Sequence, residues 1–301
     1  VAEATLTATR TPLETLRLYW RMTRPGVLFL VLFTGLPALW MGAVVTPSPA
    51  LAAWVLLGTA LAGSACSVLN AWYERDSDAR MARTRNRPLP AASVAPGQAL
   101  GLGIALSVVS TALLYRTGGL VAAGVGLGSI VFYLVVYTIW LKPRTPQNIV
   151  IGGAAGATAP LIADAALDGH LGLGGWLLFL IVFVWTPPHF WAIALFRKED
   201  YRAADFPMMP LVVGDQGTRW RMLAYTLLLL PVGVAPTLFG YFGWTYGASA
   251  VVLGLWFTWW NVRVLREQDY ETDRGMFRAS IVYLFALFAA MLVDVVVGAL
   301  V

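Results

Sequence analysis

The sequence predicts an all-α, polytopic integral membrane protein of about nine transmembrane helices in one bundle, and three observations carry that prediction. Of 301 residues, 58% are hydrophobic and only 12% are charged, roughly half the charged share of a soluble domain. A soluble chain of this length has no core large enough for so much apolar surface. Apolar stretches of about 20 residues, the length that spans a bilayer core, recur along the whole chain. Finally, the cations sort almost completely onto alternate connections between those stretches.

Taken in order, residues 1–26 read as a cytoplasmic N-terminal segment, too polar before Arg24 for a secretory signal. Residues 27–301 read as a single transmembrane domain, with helices expected at 27–45, 51–71, 97–115, 120–141, 147–167, 174–196, 222–240, 243–262 and 279–300. Arg10, Arg17, Arg21 and Arg24 precede the first helix, and Arg75, Arg80, Arg83, Arg85 and Arg87 follow the second. Lys142 and Arg144 follow the fourth. Arg197, Lys198, Arg202, Arg219 and Arg221 follow the sixth, and Arg263, Arg266, Arg274 and Arg278 the eighth. Only Arg116 lies on the other side. This positive-inside sorting expects a bacterial-type plasma (inner) membrane with the N-terminus in the cytoplasm, the C-terminus outside and an odd helix count.

The net charge of +5 is therefore topological and gives no support to a nucleic-acid partner. Cys66 is the only cysteine, which excludes an intramolecular disulfide and a cysteine-rich metal site. Glycines are dense in the third to fifth helices, from Gly101 to Gly156, as close packing in lipid requires. None lies between a strand and a helix, so a nucleotide fold has no support. The outward links at Thr46–Ala50 and Gly240–Gly243 are uncharged. Two long connections, about 72–96 and 197–221, share the basic face and mix acids with bases, so chemistry is expected there.

Asn70, Glu74 and Asp78 are spaced by four. On a helix they advance about 40° per step, which puts three oxygen-bearing side chains on one face over about 12 Å. Asp76 is rotated well away. Carboxylates four apart repel, and at a membrane edge the cost rises. A divalent cation removes it, and Mg2+ takes carboxylates together with substrate phosphates. Arg83, Arg85 and Arg87 follow at once, and arginine forks suit phosphate oxygens. The competing reading is a solvated juxtamembrane face paired with ordinary cytoplasmic arginines. The spacing and the membrane-edge position favour a diphosphate site.

The stretch Asn70-Ala71-Trp72-Tyr73-Glu74-Arg75-Asp76-Ser77-Asp78 resembles the first motif, Asn-Asp-x-x-Asp-x-x-x-Asp, of the UbiA superfamily of intramembrane prenyltransferases. Ala71 and Glu74 replace two of its aspartates. With Arg83-Thr84-x-x-Arg87-Pro88-Leu89 it is similar to the heme O synthase branch, the protoheme farnesyltransferases. Leu141-Lys142-Pro143-Arg144-Thr145-Pro146-Gln147-Asn148, Trp185-Thr186-Pro187-Pro188-His189-Phe190-Trp191, and Lys198-Glu199-Asp200-Tyr201 with Pro207-Met208-Met209-Pro210 fit the same branch. The likeness covers about Tyr19 to Gly214. The superfamily's second motif, Asp-x-x-x-Asp, keeps only Asp200, because Phe196 stands at its first position; Glu199 and Asp205 are substitutes.

The resemblance implies a transferase that joins the farnesyl group of farnesyl diphosphate to the vinyl group of protoheme (heme b). It implies Mg2+ on Glu74, Asp78 and Asp200, supported by Asn70, and diphosphate on Arg83 and Arg87. Lys198 either contacts diphosphate or snorkels to the interface. Lys142 and Arg144 are candidates for the heme propionates. Heme A synthase or oxidase assembly factors are the implied partners. His189 lies in the sixth helix after a proline pair that disturbs helices, and an ionisable group at that depth is a functional hypothesis by default. Its readings are iron ligand, acid or base at the vinyl group, diphosphate donor, or a structural histidine bonded to backbone freed by the prolines. Asp294 reads as interfacial, and Asp164 and Asp168 as solvated on the outer side. The competing functions are prenylation of an aromatic quinone precursor and transport of an anion. The helix-four to helix-six motifs disfavour the first. Charge gathered at one surface rather than at mid-membrane disfavours the second.

Overall fold

The computed structural model describes residues 11–41 and 47–298. The expected helix ends at 42–45 and 299–300, the cation Arg10 and the link residue Thr46 lie outside them. The described residues hold twelve α-helices, a short 3-10 turn (Pro37–Leu39) and a π-helical segment, with no strand. Helix α1 (Pro12–Met22) opens on a reciprocal cap. Thr11 Oγ1 accepts from the Glu14 amide at 3.3 Å, and Glu14 accepts from the Thr11 amide at 2.9 Å. Leu13, Leu16 and Trp20 leave one apolar face of α1 exposed, the pattern of a helix lying along a membrane surface. The chain then turns by 53° into α2 (Pro25–Gly35). Arg24 makes that turn in a left-handed backbone conformation, φ 54°.

Helices α3 (Pro49–Tyr73) and α4 (Arg75–Arg80) follow, and Glu74 joins them. Helix α5 (Pro96–Val131) runs on into the π-helical segment Phe132–Leu141. Straight, this run of 46 residues would extend about 69 Å, more than twice a hydrocarbon core of about 30 Å. Gly119 folds it back, at φ 74° and ψ −169°, a conformation that side-chain-bearing residues avoid. Gly103 before the hinge packs on Val68 and Leu69, and Thr138 beyond it bonds Asn70. Both arms therefore lie along α3.

Helices α6 (Asn148–Gly156) and α7 (Ala159–Asp168) form one bent span. Next come α8 (Leu173–Phe196), the short α9 (Lys198–Ala203), α10 (Met209–Leu238), α11 (Trp244–Glu267) and α12 (Tyr270–Gly298). In its most apolar window α8 is 67% buried, against 28% for α10, α11 and α12. It is the central helix, and the others turn apolar side chains such as Leu227, Val252 and Val282 outward. Contiguous exposed apolar surface of that extent fits lipid and not water. The chain is an integral membrane protein.

Seven described helices are long and apolar enough to cross a membrane, or eight if the bent pair Pro12–Met22 and Pro25–Leu39 is one span. The sequence reading of nine differs because it divides the run at Gly119 and counts a first helix whose described part is short. The seventh helix, expected from 222, already begins at about Asp215, after a break at Gly214 (φ 76°, ψ 170°) inside α10. Its early charges are housed by pairing: Asp215 takes Lys198, and Arg219 takes Asp273 of α12. The proline pair in α8 does not end it: the helix runs from Leu173 to Phe196 with Pro187 and Pro188 buried inside it. Asp164 is buried, not solvated. It accepts from the Gly172 amide at 2.6 Å and caps α8. Asp294 does the same for α11, accepting from Gly243 at 2.6 Å and Tyr246 at 3.1 Å. Free amides at a helix start attract such carboxylates.

Candidate active site

Glu74 has non-helical backbone angles, φ −86° and ψ 6°, yet the helical ladder continues through it. Its amide bonds the Asn70 carbonyl at 2.9 Å, and its own carbonyl takes the Asp78 amide at 2.7 Å. The fourfold spacing is thus kept in space. Asn70, Glu74 and Asp78 are 2%, 5% and 1% exposed, whereas the Asp76 side chain is 85% exposed and lies 3.6 Å from Arg75.

Each buried member of the row has a basic partner, distant in the chain for Asn70 and Glu74 and nine residues on for Asp78. Arg24 Nη2 donates to Asn70 Oδ1 at 3.2 Å, and Asn70 Nδ2 donates to Thr138 at 3.2 Å. Lys142 Nζ donates to both oxygens of Glu74 at 2.6 Å. Arg87 Nη1 donates to Asp78 Oδ2 at 2.9 Å. The Thr84 hydroxyl bonds the Asp78 carbonyl at 2.7 Å and holds the connection that carries Arg87. Burial holds the Arg87 pKa below the ordinary guanidinium value; Arg24 and Arg83 lower it further, and Asp78 opposes them. Positive charge is thus crowded around one half-buried position, where an anion would relieve the repulsion.

The second connection packs against the first. Arg80 bonds Asp205 at 2.7 Å and the Ala204 carbonyl at 3.1 Å. Met81, Tyr137, Ile149, Tyr201, Phe206 and Met208 share an apolar cluster beneath both connections. The Lys142 ammonium sits 4.7 Å from the Phe206 ring centroid. Asp200 is mostly buried, with Arg197 at 3.9 Å. Phe196, in place of an acid, lies within 5.7 Å of Arg197 and 5.6 Å of Arg274. Lys198 bonds both oxygens of Asp215, at 2.8 and 2.7 Å, and this bonding raises its pKa.

The remaining expected residues fall as follows. Arg83 is exposed beside Arg87. Arg144 is exposed and caps the carbonyls of Ile139 and Trp140, both at 3.0 Å. His189 is half-buried in α8. Its Nδ1 lies 2.7 Å from Ser280 Oγ and its ring stacks on Trp185, so its partner is a side chain of α12 and not backbone freed by the prolines. Sequence reasoning missed Arg24, whose turn before Pro25 was the available signal. It also missed Thr138, Asp215 and the buried pair Arg219–Asp273, none of which stands in a motif.

Among the described residues, no three His, Cys, Asp or Glu side chains gather as a metal-ligating group. The row of a buried amide oxygen and two buried carboxylates is nonetheless a hard-oxygen donor set suited to a magnesium-type ion. Lysine and arginine neutralise it as it stands.

A family model for the UbiA prenyltransferase family matches residues 31–292. The chain is 45% identical over 285 residues to a protoheme IX farnesyltransferase of Acidiphilium cryptum, covering 91% of this chain and 89% of that one. It is 47% identical over 283 residues to protoheme IX farnesyltransferase 2 of Mesorhizobium japonicum, covering 93% and 90%. Among solved structures, a digeranylgeranylglyceryl phosphate synthase superposes with a TM-score of 0.78 at 16% identity, over 94% of this chain and 99% of that one. A UbiA homolog from Archaeoglobus fulgidus bound to DMAPP and Mg2+ gives 0.67 at 18% identity, over 90% and 99%.

Proposed function

Because the chain belongs to the UbiA prenyltransferase family, we propose that it transfers the farnesyl group of farnesyl diphosphate to the vinyl group of protoheme, giving heme O and diphosphate. The observation that carries the donor half is the row Asn70–Glu74–Asp78 with its basic partners Arg24, Lys142 and Arg87. Buried acids interleaved with cations at a membrane edge suit a metal–diphosphate head group, with the farnesyl tail among the helices. The acceptor half follows the protoheme IX farnesyltransferases, to which the chain is 45–47% identical.

Asn70, Glu74, Asp78 and, from the second connection, Asp200 would hold Mg2+. That ion supplies neutralisation of the charge that builds on departing diphosphate. Arg24, Arg83, Arg87 and Lys142 bind and orient the diphosphate oxygens, and Lys198, held by Asp215, extends that basic rim. Arg144 is the cation left for a propionate. The allylic C–O bond breaks, its electron pair leaves with diphosphate, and the vinyl carbon forms the new C–C bond. Water then adds to the adjoining carbon and loses a proton, leaving a hydroxyethylfarnesyl group. The apolar helices keep water from the allylic cation until that bond has formed. The bilayer is that of a bacterial-type plasma membrane, with the N-terminus and the site on the cytoplasmic side. So hydrophobic a product needs an acceptor in the membrane, such as heme A synthase or an oxidase assembly factor.

Purified protein given protoheme, farnesyl diphosphate and Mg2+ should produce a heme heavier by one hydroxyethylfarnesyl modification, resolved by chromatography and mass, with release of diphosphate. Chelating the ion should stop both. Prenylation of a hydroxybenzoate or quinone precursor in place of protoheme would overturn the acceptor, and turnover without any divalent ion would remove the metal.

A further inference from the structure

Ser280 of α12 makes three contacts that together define the state of His189. Its hydroxyl lies 2.6 Å from the Phe277 carbonyl oxygen and 2.7 Å from His189 Nδ1. A serine hydroxyl has one hydrogen, and a carbonyl oxygen can only accept. The Ser280 proton is therefore directed at Phe277, and Ser280 Oγ is left to accept. His189 Nδ1 must carry the hydrogen of the second bond. In a neutral imidazole this leaves Nε2 unprotonated, with an available lone pair.

The ring is also held in orientation. Trp185 stacks on it with centroids 4.3 Å apart and planes 21° apart, and Phe277 lies 5.0 Å away. The Trp185 indole N–H is in turn bonded to the Ser280 backbone carbonyl at 2.8 Å. Thus the hydroxyl of Ser280 fixes which nitrogen bears the proton, and its carbonyl fixes the aromatic plate behind the ring. Nε2 takes no protein hydrogen bond among the described residues. His189 stands about 10 Å inside the end of α8 at Phe196, below the charged connections and among aromatic rings.

We infer that Ser280 is a positioning residue that holds His189 as the Nδ1–H tautomer and so presents Nε2 as a ligand to the iron of a protoheme substrate. This inference rests on the farnesyl transfer to protoheme proposed above. It sets aside the diphosphate-donor reading of His189, because Nε2 has no hydrogen to donate. A histidine ligand whose other nitrogen donates to a fixed acceptor is the usual arrangement at metal sites.

The test is a titration of the full chain, in detergent, with ferric protoheme, followed by absorption and electron paramagnetic resonance. The wild type should show an imidazole-ligated iron signature that His189→Ala abolishes. Ser280→Ala should weaken heme affinity by about 10-fold or more and alter the resonance signal, while Ser280→Thr, which keeps the hydroxyl, restores both. The thermal midpoint should not separate the two variants, since the Trp185 bond uses backbone. Farnesyl transfer by the same wild-type preparation judges the underlying reading separately. If the wild type prenylates protoheme yet shows no His189-dependent ligation, or Ser280→Ala matches it, the inference is overturned. If no prenylated heme forms, the reading beneath it fails instead.

Discussion

Lys142 Nζ lies 2.6 Å from both carboxylate oxygens of Glu74, 68 positions away in the chain. The contact ties the end of the hairpin's returning arm to the end of α3, where the acidic row begins. Their side chains are 11% and 5% exposed, so neither charge is well solvated without the other. In the proposed reaction the same ammonium has a second partner, the diphosphate, once a metal ion takes over Glu74.

Removing one member of this pair strands a buried charge, which costs about 3–5 kcal/mol. Lys142→Met should therefore lower the thermal midpoint in detergent clearly. The double variant Lys142→Met/Glu74→Gln should recover most of the loss while remaining inactive. A double variant no more stable than Lys142→Met alone would show that the pair is not what holds this corner.

The acid row makes a graded prediction. Asp78→Asn and Glu74→Gln keep shape but remove charge, and each should lower farnesyl transfer by about two orders of magnitude or more, or roughly 3 kcal/mol of transition-state stabilisation. Asp76→Asn should stay within a few-fold of wild type, because that side chain is 85% exposed. Equal losses in all three would sink the argument from a shared face.

Much of this arrangement was legible in the sequence, for physical reasons that differ by residue. Helical spacing survives a local break, so Asn70, Glu74 and Asp78 share a face even though Glu74 has non-helical angles. The Gly119 hinge was legible as a gap between two apolar stretches, since no bilayer accommodates their combined length. Arg219 was not legible. Counting it with the surface cations was reasonable from composition, but its partner Asp273 lies 54 positions on, and pairing at that distance leaves no local pattern. Asp164 and Asp294 were misread or undervalued for the same cause, because each caps a helix other than its own.

Arg219 and Asp273 are 3% and 0% exposed and meet at 2.8 Å between α10 and α12. Arg219→Met or Asp273→Leu alone should destabilise by about 3–5 kcal/mol, and the double apolar replacement by much less. Thermal unfolding of the four proteins in one detergent gives the coupling energy directly. Additive losses would mean that the two residues act through separate neighbours.

Topology decides on which side of the membrane the acidic row meets its donor, and it can be read without turnover. Cys66, the only native cysteine, is first replaced by serine. Single cysteines are then placed at Ala79 and at His170, both exposed positions. Ala79 lies in α4 beside the acidic row. His170 lies on the link between α7 and α8, and the positive-inside sorting assigns these two positions to opposite faces. Gly169 is the less suitable neighbour, because its φ of 70° strains a cysteine. An impermeant thiol reagent on intact cells should label His170→Cys and spare Ala79→Cys, and permeabilised cells should label both. The reverse pattern would put the acidic row and its basic partners outside the cell, away from a cytoplasmic supply of diphosphate substrate.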